Sequence, residues 1–322
     1  MKEFSRPIVL VSRCLEFDKV RYNGQVVRSR IVQDMMPFVD FIKVCPEVGI
    51  GLGVPRSSLR FVRANGEDRL VMPDTGEDLT DRMNSFTQEF LDELEVVDGF
   101  IFKGRSPSMG LDDARVYAKA SMAPVIKKRA GLFVSQVIDR YPGFPIEEND
   151  RLRNKHIRHH FLTHLYTFAA FRKVRSKVSI EDLQEFHNNN RFLFMSYSDP
   201  IYREMSLLPV SGREIDHVLG EYDLLLRKLM HKPGSIDLKL ESARSMFSTF
   251  AGITPEESSF FENMLDRYES NRISWDAVME ILRLLAYRSI GNYSYDDGFL
   301  YPYPEGLKAI TDEDREKEYW DK

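Results

Sequence analysis

At 322 residues the chain is long enough for two domains with separate cores, and its 43% hydrophobic and 30% charged residues describe an ordinary globular protein. No run approaches the roughly 18 uninterrupted apolar residues of a membrane span, and the opening Met1-Lys2-Glu3-Phe4 lacks the apolar centre of a signal peptide, so a cytoplasmic protein without membrane attachment is expected. The net charge of −5 conceals an asymmetry: Arg151 to Lys177 holds eight Lys or Arg, four His and no acid, whereas 312–322 is mostly acidic.

Up to about residue 145 strand and helix signals alternate. Pro7 to Val11 is a continuous apolar run, as in a strand covered on both faces. Arg30 to Phe38 predicts a short helix and Asp40 to Val44 a second strand. Phe61 to Arg63 and Arg69 to Val71 flank Asn65-Gly66, a hairpin signal. Leu79, Met83, Phe86, Phe90, Leu91 and Leu94 recur at helical spacing, and Val97 to Lys103 is a third buried strand. Asp113 to Ala123 reads as a helix, while Leu132 to Tyr141 has no clear type. Pro142-Gly143-Phe144-Pro145 breaks this pattern. Beyond it helical stripes run through 150–175, 180–197, 213–232, 236–251, 255–269 and 274–288, with Ser, Asp and Thr at candidate N-caps. The expected architecture is an α/β domain over 1–145 with a mainly parallel sheet, followed by an all-α domain over 146–322.

Three loops, Val11 to Cys14, Val44 to Glu47 and Arg105 to Gly110, each follow an apparent buried strand. In an open α/β sheet the loops at the strand carboxyl ends meet on one rim and form the ligand crevice. Both cysteines, Cys14 and Cys45, lie in these loops, and in a reducing compartment they read as buried thiols, ligands or reactive groups rather than a disulfide.

These residues also carry a family resemblance. Ser12-Arg13-Cys14-Leu15, Arg21-Tyr22-Asn23-Gly24, Cys45-Pro46-Glu47-Val48, Gly51 to Arg56, Asp98 to Ile101 and Ser106-Pro107-Ser108 resemble the domain-of-unknown-function 523 family, which includes thiouracil desulfidases. Arg151 to Asn154, Leu183 to His187 and Tyr301 to Pro304 resemble the domain-of-unknown-function 1722 family. The two-domain order is similar to that of desulfidases acting on 4-thiouridine in tRNA. What the resemblance implies is a 4Fe-4S cluster held by three cysteines with one iron open to the substrate sulfur. Two of those positions match Cys14 and Cys45, and the third falls on Met109, whose neutral thioether is a weak donor beside a thiolate. A substitute ligand would come from Asp112, Asp113 or a histidine of the second half. If a cluster forms, Glu47 is the candidate to activate the water and Ser106 the candidate to relay a proton to the pyrimidine ring.

Each residue also has an ordinary structural reading. The cysteines could be small buried hydrophobes, Glu47 a partner of Arg13 or Arg56, the serines turn formers and Met109 a packing residue. In the basic segment, Arg153, Lys155, Arg158, Arg172, Lys173 and Arg175 are candidate phosphate contacts for tRNA, against the alternative of a solvated basic helix. His160 and His164 share a helix face beside His156 and His159, which reads as a polar face without a third ligand. Three functions follow: an iron–sulfur desulfidase, an RNA-binding relative that lost the cluster with its third cysteine, and a cluster-free cysteine enzyme. The last is weakened because no histidine lies in the first domain to activate a thiol.

Overall fold

The computed structural model describes residues 2–120, 123–289 and 297–309, so the acidic stretch 312–322 lies outside the described residues. In chain order the first half comprises β1 (Ile8–Ser12), α1 (Arg30–Met35), β2 (Asp40–Val44), α2 (Pro46–Gly49), β3 (Arg60–Ala64), β4 (Glu67–Val71), α3 (Thr80–Asp92), β5 (Gly99–Phe102), β6 (Ala114–Tyr117), β7 (Val125–Arg129), α4 (Leu132–Arg140) and β8 (Ile146–Glu148). The rest is helical: α5 (Lys155–Lys177), α6 (Ile180–Asn189), α7 (Arg191–Tyr197), α8 (Asp199–Leu207), α9 (Ile215–Met230), α10 (Ile236–Phe247), α11 (Pro255–Glu269) and α12 (Trp275–Arg288). Two compact units result, Arg6–Leu162 with Pro304–Lys322 and Met1–Ser5 with Thr163–Tyr303, the division falling inside α5. No helix of the described residues is long and apolar enough to cross a membrane.

The first unit has two four-stranded sheets. One is wholly parallel in the order β2-β1-β5-β8, with Val9 to Val11 paired to Gly99 to Ile101 on one side and to Phe41 to Lys43 on the other. The fourth strand, Ile146–Glu148, pairs with Phe100 to Phe102, so this sheet continues past the break expected at residue 145. The second sheet is mixed, in the order β4-β3-β6-β7. Its β3–β4 hairpin turns at Asn65-Gly66, both at positive φ (51° and 85°), the geometry that lets a two-residue loop match the strand twist. The parallel sheet packs Leu10, Phe100 and Phe102 against Phe133, Val134 and Val137 of α4 and Leu91 of α3. Burial of each such side chain stabilises by about 1.5–3 kcal/mol.

The helix expected over Asp113 to Ala123 is corrected to the strand β6. Its Ala114 and Val116 are buried in alternation with exposed Arg115, and Val116 pairs with Phe61, so the tertiary slot beside β3 decides its conformation. The untyped segment after it forms α4. In the second unit, the stripe expected at 180–197 divides at Asn190, whose Nδ2 donates back to the carbonyl of Phe186 at 2.8 Å, and α8 follows as a helix that the pattern did not reveal. Serine and threonine caps are present at Ser179, Ser235, Thr254 and Ser274.

His187, on α6, is a core residue of the second unit. Its Nδ1 lies 3.0 Å from Tyr222 Oη and its Nε2 3.0 Å from Ser206 Oγ, and its ring stacks on Tyr202 at 5.3 Å. Ser206 Oγ already donates to the Tyr202 carbonyl, so this network assigns the ring proton to Nε2 and leaves Nδ1 accepting from Tyr222. Burial lowers the imidazole pKa from 6.5 to about 4. The unfolded chain therefore takes up a proton between about pH 6.5 and 4 that the folded chain refuses, and stability is lost as pH falls through that window, by on the order of 3 kcal/mol. His187→Gln is expected to flatten this part of the pH profile in urea melts at pH 7, 5.5 and 4. An unchanged slope would refute the assignment.

Candidate functional site

Because β1 pairs in parallel with both β2 and β5, all three strands end on the same rim, and their following loops close one cavity of about 470 Å³, in the size range of small-molecule pockets. Cys14, Cys45, Glu47, Ser106 and Met109 all line it. The loops are fastened to one another by Arg13 N to the Val44 carbonyl at 2.8 Å and by Lys103 N to Ser12 Oγ at 2.9 Å.

The loop from Ser106 to Gly110 is held by the start of α4. The N–H groups of Gly131, Leu132 and Phe133 donate to the carbonyls of Gly110, Pro107 and Ser108, so the helix end that would lack partners is satisfied by the loop. The approach is close enough that a Cβ on Gly131 would lie 2.4 Å from the Ser108 carbonyl, which only glycine permits. Within the loop Ser106 Oγ accepts from the N–H groups of Ser108 (3.3 Å) and Met109 (3.1 Å).

Glu47 stands in the first turn of α2 and accepts from Arg56 Nε at 2.9 Å and Nη2 at 2.6 Å. Its other oxygen accepts from Ser108 Oγ at 2.9 Å, and Ser106 Oγ lies 3.0 Å from that hydroxyl. The result is a continuous chain Arg56–Glu47–Ser108–Ser106, with the Arg56 and Glu47 side chains 6% and 12% exposed. Arg56 is also held by the carbonyls of Val20 and Gly53 and reaches within 4.0 Å of Cys45 Sγ. The rim adds Arg21 beside Tyr22 at 5.4 Å, with Lys103 and Arg105.

Arg56 and Ser108 carry the polar chain, yet the sequence reading singled out neither as a site residue. The available signals were Arg56 closing the Gly51 to Arg56 motif and Ser108 two positions after Ser106. Asp112 and Asp113, the expected substitute ligands, do not line the cavity: Asp113 accepts from Arg105 N at 2.5 Å. In the basic segment Arg158 is nearly buried on Asp34 (2.9 Å), Arg153 lies 3.6 Å from Asp150 and Arg175 3.8 Å from Asp223, whereas Lys155 and Lys173 are exposed.

Residues 9–149 match the family model described as 2-thiouracil desulfurase, and residues 191–304 match that described as protein of unknown function (DUF1722). The chain thus joins a domain of the 2-thiouracil desulfurase family to a DUF1722 domain. An uncharacterised protein of Bacillus subtilis (strain 168), YbbK, is 28% identical over 110 residues, covering 32% of this chain and 73% of its own. Among solved structures, a 4Fe-4S-dependent thiouracil desulfidase, TudS, is 25% identical with a TM-score of 0.36, over 46% of this chain and 93% of its own.

The donor set here does not fit a cluster held by three thiolates. Burial pushes the Cys14 thiol up to about 11, with Cys45 adding to the shift, and burial also raises Cys45 despite the backbone N–H groups of Val48 and Glu47. Raised in this way, neither is disposed to act as a free nucleophile, whereas a bound metal would displace either proton, so the misfit lies at the third position. At the third position Met109 is 4% exposed and packs with Phe102, Phe133 and Val134, so its side chain fills the core beneath the pocket. Among the described residues no cluster of three or more His, Cys, Asp or Glu is placed to hold a metal.

The buried Arg56–Glu47 pair yields a direct test. Arg56→Ala leaves the carboxylate without its counter-charge and is expected to destabilise the first unit by about 3–5 kcal/mol in urea melts. The double variant Arg56→Leu/Glu47→Leu should recover most of that loss. A single variant as stable as the parent would show that the pair contributes nothing.

Proposed function

We propose that the first unit recognises a thiolated pyrimidine, with 4-thiouridine of tRNA as the leading ligand, and that with two cysteines and a methionine in place of three cysteines this chain binds such a base without desulfurising it. The observation that carries the reading is the convergence of Cys14, Cys45 and the Glu47–Ser108–Ser106 chain in one cavity of about 470 Å³. Two soft, weakly hydrogen-bonding thiols suit a thiocarbonyl sulfur, which is large and polarisable. The carboxylate and hydroxyls suit the N–H and C=O edge of a pyrimidine, one accepting and the others able to do both. Tyr22 with Arg21 offers a flat cationic face for the ring, while Lys103 and Arg105 at the rim already face Asp150 at 3.9 and 3.6 Å.

The desulfidase chemistry of the family would require the third thiolate. In its absence the Glu47–Ser108–Ser106 chain still orients a base and can hold or pass a proton between Ser106 and the carboxylate. This explains why the polar half of the site can remain useful without the metal half.

Calorimetric titration is expected to show 4-thiouridine binding at least about tenfold tighter than uridine, a difference of about 1.4 kcal/mol. After anaerobic reconstitution the parent protein should retain less than one iron per chain and release no sulfide, whereas Met109→Cys should retain about four irons per chain. A parent protein that holds a cluster and releases sulfide would make the chain a desulfidase in its own right, and equal affinity for the two nucleosides would overturn the recognition reading.

A further inference from the structure

The outer face of the second sheet carries a row of basic side chains. Arg115 on β6 stands directly opposite Lys128 on β7. The parallel register that sets Phe61 beside Val116 and Val62 beside Tyr117 places Arg60 next to Arg115 on the other side. Phe61, Ala114 and Val116 point into the core, so Arg60, Arg115 and Lys128 form one row across three strands on the outer face. Strands lie about 4.8 Å apart, so the three backbone positions of the row span about 10 Å.

Directly opposed like charges destabilise a sheet. A structural account would supply an acid, and among the described residues none of these three side chains has one within ion-pair distance. The buried acid of this sheet, Asp68, is spent on the other face, where it meets Lys127, Arg129 and Arg63. Beside the row the Arg60 guanidinium lies over the Tyr117 ring at 5.0 Å, and Val125 and Ile126 at the edge are 43% and 47% exposed. The helix that looked basic in sequence differs, because Arg153, Arg158 and Arg175 have carboxylate neighbours.

We propose that this outer face, through Arg60, Arg115, Lys128 and Tyr117, binds the backbone of single-stranded RNA. Three unneutralised cations in a row match a chain of phosphodiesters, and a guanidinium stacked on a phenol ring makes a flat platform for an unpaired base. An acidic peptide would use the charges but leave the stacked platform idle. The choice of RNA over DNA rests on the pocket reading above, which takes an RNA base. The phosphate contacts rest on the sheet alone.

The test uses the full chain and a fluorescein-labelled, unthiolated 20-nucleotide oligouridine, so that the pocket's preference for sulfur plays no part. In fluorescence anisotropy the triple variant Arg60→Ala/Arg115→Ala/Lys128→Ala is expected to raise Kd at least about tenfold at 0.1 M salt and to reduce the slope of log K against log salt by about 2, the counterion release of three lost phosphate contacts. Lys155→Ala/Lys173→Ala on α5 should change Kd less than about twofold. Arg115→Glu gives a readout that misfolding cannot imitate: opposite charges now face each other, so Tm should rise while RNA affinity falls. The proposal is overturned if the parent does not bind the oligouridine, if the triple variant binds with unchanged Kd and slope, if the α5 variant loses as much as the sheet variant, or if oligothymidine or polyglutamate binds as tightly as the RNA. Loss of thionucleoside preference with intact oligouridine binding would strike the pocket reading alone.

Discussion

The parallel pairing of β1 with both β2 and β5 is the constraint on which the rest of the first unit depends. In a parallel sheet each strand must leave and return by a crossover, so strand ends of one polarity gather on one edge. That places residues from positions 14, 45 and 106 around one cavity without any local interaction between them in the chain. The loops then lock one another, Arg13 on Val44 and Lys103 on Ser12, and α4 caps the third from below.

Electrostatics inside the cavity follows from this enclosure. Low solvent access raises both cysteine thiols, and the Glu47 carboxylate is held there by the equally buried Arg56. A pocket of this kind is chemically divided. One side is a fixed charge relayed through two hydroxyls, and the other is neutral sulfur. On the reading proposed above, a thiocarbonyl base uses both sides at once, whereas a cluster held by three thiolates would need an anionic sulfur where Met109 stands.

Much of the parallel sheet was legible because Pro7 to Val11 and Val97 to Lys103 are buried-strand runs, and in the second sheet the Asn65-Gly66 turn marked the hairpin. Strand β6 was not, since Ala114 to Tyr117 is too short to show a period and its conformation is imposed by β3, some fifty residues away in sequence. The same limit applies to the site. Cys14, Cys45, Glu47, Ser106 and Met109 were recognised by motif and are brought together by the fold, but Arg56 and Ser108 owe their roles to a carboxylate 9 and 61 residues distant. His187 shows the converse. Its place in a family pattern assigned it no role, and its surroundings make it a neutral hydrogen-bonding pivot between three helices.

Met109 reaches the cavity with one side and the core with the other. A cysteine there would remove two heavy atoms from a packed interior, and truncations of this size cost on the order of 1–2 kcal/mol through lost contacts and the void left behind. Ligation and packing therefore compete for a single position. A cysteine at 109 is therefore the less stable choice in the metal-free chain, and the loss is offset only when metal binds.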